Sequence, residues 1–288
     1  MEVIVMADLL GLPLACTNCE QPLLGAGTPS RTCPICGKSW EIHAGKWWFG
    51  GEQAVTAGDA TDSLKSRLKM HPKIYTALID IVSPVYPHWI LEKRRLKRLI
   101  TPSVLAVDVG SGNTRINEGV VNVDLMPYPN VDVVSQADCL PFQSGSVDIV
   151  FSIAVLEHVP DPHTAVGELV RVLKAGGHAY VFVPFIQGFH AAPHDYQRFT
   201  RKGLERALCG LRIVRTENFG PTSGLVWVLG EWLSIPFSLG IAPLQRLLAL
   251  VFQTLLSPLK FLDFILRRMP GSENISTGFL VVAIKEPV

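Results

Sequence analysis

Between residues 104 and 219, short runs rich in β-branched and aromatic residues alternate with helix-patterned stretches, and this limits the fold more than any other feature of the chain. Such alternation builds a mainly parallel sheet, because parallel neighbours need a long crossover and cannot be joined by a tight turn. The expected strands are Val104–Val109, Val120–Asp124, Val147–Ser152, Ala179–Pro184 and Arg212–Phe219, with a last one at Phe279–Ile284. At 288 residues the chain is long enough for one large domain, or one domain with a small appendage. A hydrophobic fraction of 48% excludes a disordered chain. A net charge of +1, from 26 basic and 25 acidic residues, argues against a globally basic nucleic-acid binder. Mean hydropathy is +0.29, so some segment carries surplus apolar residues.

The N-terminal 50 residues have a different logic. Cys16 and Cys19 form one C-x-x-C pair and Cys33 and Cys36 a second, 13 residues further on. Two such knuckles place four thiolates around one tetrahedral Zn²⁺, and Gly37 supplies the backbone freedom the second knuckle needs. A thioredoxin-type redox pair would sit inside a βαβ unit, which this segment lacks. With all four positions filled by thiolate there is no room for an activated water, so the expected metal is structural. Clustered cysteines, with Cys139 and Cys209 isolated, suit a reducing and hence cytoplasmic compartment. The N-terminus carries Glu2 and Asp8 and no basic region, so it does not read as a signal peptide. The segment from Gly37 to Phe49, with Trp40, Trp47 and Trp48, resembles the small Trm112-like zinc ribbons. Two readings of its tryptophans stand: a partner- or base-stacking surface, or the core of the ribbon. Residues 51–63 are small and polar and read as a linker; residues 64–100 read as helices broken at Pro72, Pro84 and Pro87 and ending in a basic turn.

The first strand of the series runs through Asp108 into Gly110, Ser111, Gly112 and Asn113. Glycines there let the backbone approach a ligand at the carboxyl end of the first strand, where doubly wound sheets bind cofactors. The second strand ends in Asp124, placed to accept hydrogen bonds from ribose hydroxyls. Asp138 follows at the next strand end. These segments, with Val155 to Pro162 and Glu168 to Gly177, resemble the class I S-adenosylmethionine-dependent methyltransferases of the type 11 group, over about residues 104–219. The resemblance implies a seven-stranded, Rossmann-like α/β sheet. It also implies a cofactor held by Asp108, Gly110, Gly112 and Asn113 at the methionine end, by Asp124 at the ribose and by Asp138 at the adenine. Asn113 stands where the loop's third glycine is expected; because Asn tolerates left-handed backbone, the expectation is a modest change in loop shape with cofactor binding kept.

Methyl transfer from a sulfonium requires an aligned nucleophile and a base to take its proton. His158 follows the fourth strand. After the fifth comes a polar loop with His190, His194, Asp195, Tyr196 and Arg198. His158, His194 and Asp195 are the acid–base candidates; the alternative for Asp195 is a pair with Arg198 that shapes the loop ahead of a helix capped near Thr200. Residues 220–277 form a helical insertion before the last strand, and 225–269 carry the surplus hydrophobicity. From Leu244 to Arg268, Arg246, Gln253, Ser257, Lys260, Asp263 and Arg267, with Ala249, fall on one helical stripe. Three readings of the insertion stand: a lid over an apolar substrate, a peripheral contact with a membrane interface, or packing against the domain or a second subunit. The favoured function is methyl transfer to an O, N or C nucleophile of an apolar small-molecule, lipid-linked or glycan-type acceptor. The alternatives are an RNA methyltransferase using the ribbon and the basic turn Lys93–Arg98, or a non-catalytic cofactor-binding partner protein.

Overall fold

The computed structural model describes residues 9–50, 92, 94–189 and 194–287. The linker expected at 51–63 and most of the helical stretch expected at 64–100 lie outside them; of the latter, residues 94–97 are helical. His190 also lies outside them. The N-terminal module contributes β1 (Ser30–Thr32), β2 (Ser39–His43) and β3 (Lys46–Trp48), paired antiparallel. The main domain contributes β4 (Ala106–Val109), β5 (Val120–Asp124), β6 (Val133–Val134) and β7 (Val147–Ile153). Helix α1 (Pro162–Val172), β8 (Leu173–Pro184), helix α2 (Arg201–Ala207) and β9 (Arg212–Phe219) follow. Helices α3 (Pro221–Phe237), α4 (Ala242–Leu256) and the short α5 (Asp263–Leu266) precede β10 (Gly278–Ile284).

Seven of these strands, in the order β6-β5-β4-β7-β8-β10-β9, make the expected sheet, with only β10 antiparallel to its neighbours. The sheet has ten strands in all, not seven, because the ribbon continues it: β3 pairs in parallel with β6, Trp47 against Val133 and Trp48 against Val134. An unpaired β6 edge would leave a row of N–H and C=O groups open, and β3 satisfies them. The ribbon's Leu14, Trp40, Trp47 and Phe49 enter one core with Val107 and Val109 of β4 and with α1 and α2. The other face of β4 offers Ala106 to a smaller cluster with Leu96, Phe151, Tyr180 and Val282, as the period-two alternation of a strand requires.

Helix α1 follows its sequence closely. Asp161 caps it, accepting from His163 N at 3.0 Å and from the Thr164 hydroxyl; these bonds, the hydroxyl foremost, hold its carboxyl below the ordinary aspartate range. Pro162 sits at the first turn, and Ala165, Val166, Leu169 and Val172 line the buried face. At the other end Lys285 Nζ donates to the carbonyls of Val170 and Leu173 at 2.7 and 2.8 Å.

The strand–helix alternation is less regular than expected. The connections β4–β5, β5–β6 and β6–β7 hold no helix. In the first of them a polar clamp takes its place. Arg115 forks onto Asp132 at 2.9 and 3.0 Å and donates to the carbonyls of Val120 and Asn130. The insertion is helical, and α3 and α4 form an antiparallel hairpin. Its polar stripe faces inward: Ala249, Lys260 and Asp263 are buried, Gln253 lies against α3, and Arg246 is the exposed exception. Asp263 serves as a remote cap for α3, accepting from the N–H groups of Thr222 and Ser223 at 2.7 and 2.9 Å.

Candidate active site and metal centre

Strand order reverses between β4 and β7, because the chain leaves β4 for β5 and β6 on one side and then returns to β7 and β8 on the other. The crevice outside the carboxyl ends of the strands at such a point is where open α/β sheets bind ligands. The glycine turn lies there. Gly110 has φ +73° and Gly112 φ +58°, backbone that favours glycine. A Cβ on Gly110 would stand 2.4 Å from Val155, whereas one on Gly112 would meet nothing within 4 Å, so Gly112 faces open space. Gly112 N–H donates to Asp124 Oδ2 at 2.8 Å, and Met126 N–H to Oδ1 at 2.8 Å. Asp124 is thus a half-exposed carboxylate at the end of β5, tied to the glycine loop and to the turn after the strand. These residues fit the methionine and ribose parts of S-adenosylmethionine.

Asp108 is buried within β4. Asn113 does not take the left-handed backbone that Asn tolerates; its side chain and carbonyl instead accept from Asn130, at 3.3 and 2.9 Å. The β4–β5 loop, without a helix, needs bracing more than it needs a third unusual φ. Four bracing residues were missed from sequence: Arg115, Asn122, Asn130 and Asp132. Asn122 carried a readable signal. An amide inside an apolar strand must find partners, and its Nδ2 donates to the carbonyls of Thr114 and Asn130 at 2.8 and 2.9 Å.

Asp138 is exposed on the turn after β6. Its segment is held by the ribbon: Ala15 N–H donates to Pro141 O at 3.0 Å, Gln143 N–H to Pro13 O at 2.9 Å, and Cys139 Sγ–H to Thr17 O at 3.3 Å. The ribbon therefore supports the loop that presents the third acid.

His158, His194 and Asp195 come together at the next strand ends. His158 Nδ1 meets the His194 carbonyl, and its Nε2 lies 3.7 Å from the fully buried Glu157 carboxylate. Both Asp195 oxygens engage Arg198, whose charge this pairing favours. Arg198 also donates to the carbonyls of Gln187 and Gly188, and Thr200 caps α2. The His194 ring is exposed beside Tyr196. The helical hairpin starts at this same edge, since Gly278 pairs with both Pro184 and Phe219. Gly188 and Gly224 permit it: a Cβ on either would stand under 3 Å from Trp227 Nε1 or the Ile186 carbonyl, so α3 lies directly on the loop after β8.

In the ribbon the sulfurs of Cys16, Cys19, Cys33 and Cys36 all lie within 4.8 Å of one another, and those of Cys16 and Cys36 are 3.7 Å apart. Zn–S bonds of about 2.3 Å in a tetrahedron give edges of about 3.8 Å. Backbone N–H groups of Asn18 and Ile35 donate to the sulfurs of Cys16 and Cys33 at 3.3 and 3.4 Å, as turned knuckles do.

Residues 95–181 match the family model described as a methyltransferase domain. A protein of transposon TN4556 from Streptomyces fradiae is 29% identical over 82 residues, 28% of this chain and 24% of that protein. An uncharacterized methyltransferase of Mycobacterium sp. (strain JLS) is 55% identical over 38 residues, 13% of this chain and 15% of that protein. The chain thus spans a quarter or less of the length of these curated relatives. Among solved structures, a Haemonchus contortus phosphoethanolamine N-methyltransferase 2 bound to S-adenosylhomocysteine is 16% identical with a TM-score of 0.44, over 68% of this chain and 52% of that one. With the strand order and glycine loop above, residues 95–181 are similar to a methyltransferase domain.

Proposed function

We propose that the chain transfers a methyl group from S-adenosylmethionine to an O, N or C nucleophile on an acceptor with an apolar portion. The observation that carries this reading is the Gly110–Gly112 turn, hydrogen-bonded to Asp124 at the switch point of the sheet. In this reading the turn and Asp108 hold the methionine end of the cofactor, Asp124 the ribose and Asp138 the adenine. Asn113 keeps the loop in shape through Asn130. Bound S-adenosylmethionine supplies an electrophilic methyl group. The protein's own task is to align the acceptor and take its proton. The exposed His194 imidazole is the base. His158 holds its carbonyl, and Asp195, anchored by Arg198, fixes the adjoining backbone. The acceptor's apolar part rests where α3 meets the loop after β8, beside Trp227.

The four-cysteine centre binds one structural zinc. Unbridged cysteines throughout the chain support a reducing, cytoplasmic setting. Calorimetry with S-adenosylhomocysteine tests the cofactor reading: wild type binds and Asp124→Ala weakens binding. Methyl transfer from labelled S-adenosylmethionine into a lipid extract, lost in His194→Ala with cofactor affinity unchanged, tests the rest. An RNA acceptor is the second reading. It is favoured by the exposed Arg94, Arg95, Lys97 and Arg98 flanking buried Leu96, whereas burial of Trp40 and Trp47 leaves the half-exposed Trp48 as the tryptophan of the ribbon that could stack on a base. Affinity for RNA that falls steeply with salt would support it.

A further inference from the structure

The helical hairpin is built inside out. Its seam centres on small and polar residues, with one aromatic contact, Phe237 of α3 on Phe252 of α4, near the tip. A Cβ on Gly230 of α3 would stand 2.4 Å from Gln253 of α4, and Ala249 is buried beside them. Gln245 Nε2 donates to Glu231 and to the Ser234 hydroxyl at 3.3 Å each, and Gln253 Nε2 to Glu231 at 3.4 Å. The outer faces are apolar. Leu225, Val228, Trp232 and Ile235 recur along one side of α3, and Leu247, Leu250 and Leu255 along α4. Trp232 is 63% exposed, Leu255 70% and Leu239, at the tip, 82%. From Trp232 to Leu244 there is no charged residue.

A helix pair that folds in water buries its apolar stripe and wets its polar one. Helix pairs in a membrane do the reverse, associating through small residues and interhelical hydrogen bonds, because lipid already solvates the apolar faces. The polar seam of this hairpin therefore selects hydrocarbon as the outer environment, over a second protein surface. We propose that α3, α4 and their apolar tip form an anchor that enters one leaflet of a phospholipid bilayer and returns. The stretch Ala242–Leu266 is long and apolar enough to cross a membrane by length and composition. Its partner α3 is not: at 17 residues it spans about 25 Å, short of the roughly 30 Å hydrocarbon core. Arg267 and Arg268, after α5 at the base, lie where anionic headgroups would meet them. The inference goes beyond the methyltransferase reading and does not depend on it.

Flotation of the purified full-length chain with vesicles tests the anchor, using phosphatidylcholine alone and phosphatidylcholine with phosphatidylglycerol. Wild type is expected to float with both, and more tightly with the second. The double variant Trp232→Glu, Leu239→Glu is expected to lose at least tenfold in vesicle affinity while its melting temperature and S-adenosylhomocysteine binding hold. Arg267→Gln with Arg268→Gln removes only the phosphatidylglycerol preference, by about fivefold per charge. Wild type that stays in the aqueous fraction with both vesicles overturns the proposal. So does a stable dimer that the Trp232 and Leu239 changes break apart, which would name a second copy as the occupant. A double variant that fails to fold places these side chains in the core and overturns it as well. Failure of the methyltransferase reading would show separately, as absent S-adenosylhomocysteine binding with flotation intact.

Discussion

The ribbon and the helical hairpin are both additions to the seven-stranded sheet, and both carry tryptophans, yet they treat them in opposite ways. Trp47 of the ribbon is completely buried and donates its indole N–H to the Leu9 carbonyl at 2.9 Å. Trp232 of the hairpin points outward. The difference lies in the mode of attachment. The ribbon joins by strand addition, so backbone hydrogen bonds fix its register on β6 and bring one whole face of it over the core. The hairpin is tied down at its base by Asp263, Gly220 and Gly224, and beyond that its two helices pack mainly on each other. An appendage joined through the sheet becomes core; one joined at its root keeps a surface of its own.

The largest test of this contrast is metal removal. Chelation, or Cys33→Ser, should release the ribbon, lower the melting temperature by about 10 °C or more and weaken S-adenosylhomocysteine binding, because the ribbon holds residues 135–143. Thermal unfolding and calorimetry check both effects. Unchanged cofactor affinity in the metal-free protein would mean that the ribbon is a passenger on the sheet edge. Next comes Trp47→Ala, which leaves a cavity between ribbon and sheet and should cost about 3–5 kcal/mol in denaturant unfolding. Asp124→Ala lies between the two regions and touches neither. It should weaken cofactor binding by about 1.5–3 kcal/mol, the range for hydrogen bonds to a charged group, with the melting temperature shifting far less. The smallest effect belongs to Trp232→Ala, expected within about 0.5 kcal/mol of wild type in aqueous unfolding. A large loss there would show that the two tryptophans are alike after all and that the hairpin is ordinary core.

The central strands of the main domain were legible because they are buried apolar runs bounded by turn residues. Val120–Asp124 and Arg212–Phe219 run as expected to the residue. The two-residue β6 was not, since so short a strand has no periodicity to read and exists only because β5 and β3 flank it. At the site, Gly110, Gly112 and Asp124 were visible as a glycine turn and an acid at successive strand ends. The Arg115–Asp132 clamp was not, because its partners are 17 residues apart and meet only once β5 and β6 are side by side.

By itself the sequence determined the local and the chemical: the four thiolates at knuckle spacing, the strand series, the glycines that must take positive φ, and the polar stripe from Arg246 to Arg267. Each of these is set by neighbours within a few residues or by a regular period, so no distant contact is needed to read it. Tertiary structure alone decided how the pieces face one another. The same polar stripe that a water-soluble helix would turn to solvent is turned toward α3, because Gly230 leaves room for Gln253 and Glu231 offers it an acceptor. Trp40 and Trp47 of the ribbon are core while Trp48 stays half-exposed, because β3 pairs with the edge of β6 and turns one face inward. Orientation is a property of pairs of elements, and pairing depends on residues too far apart in the chain for any local pattern to report.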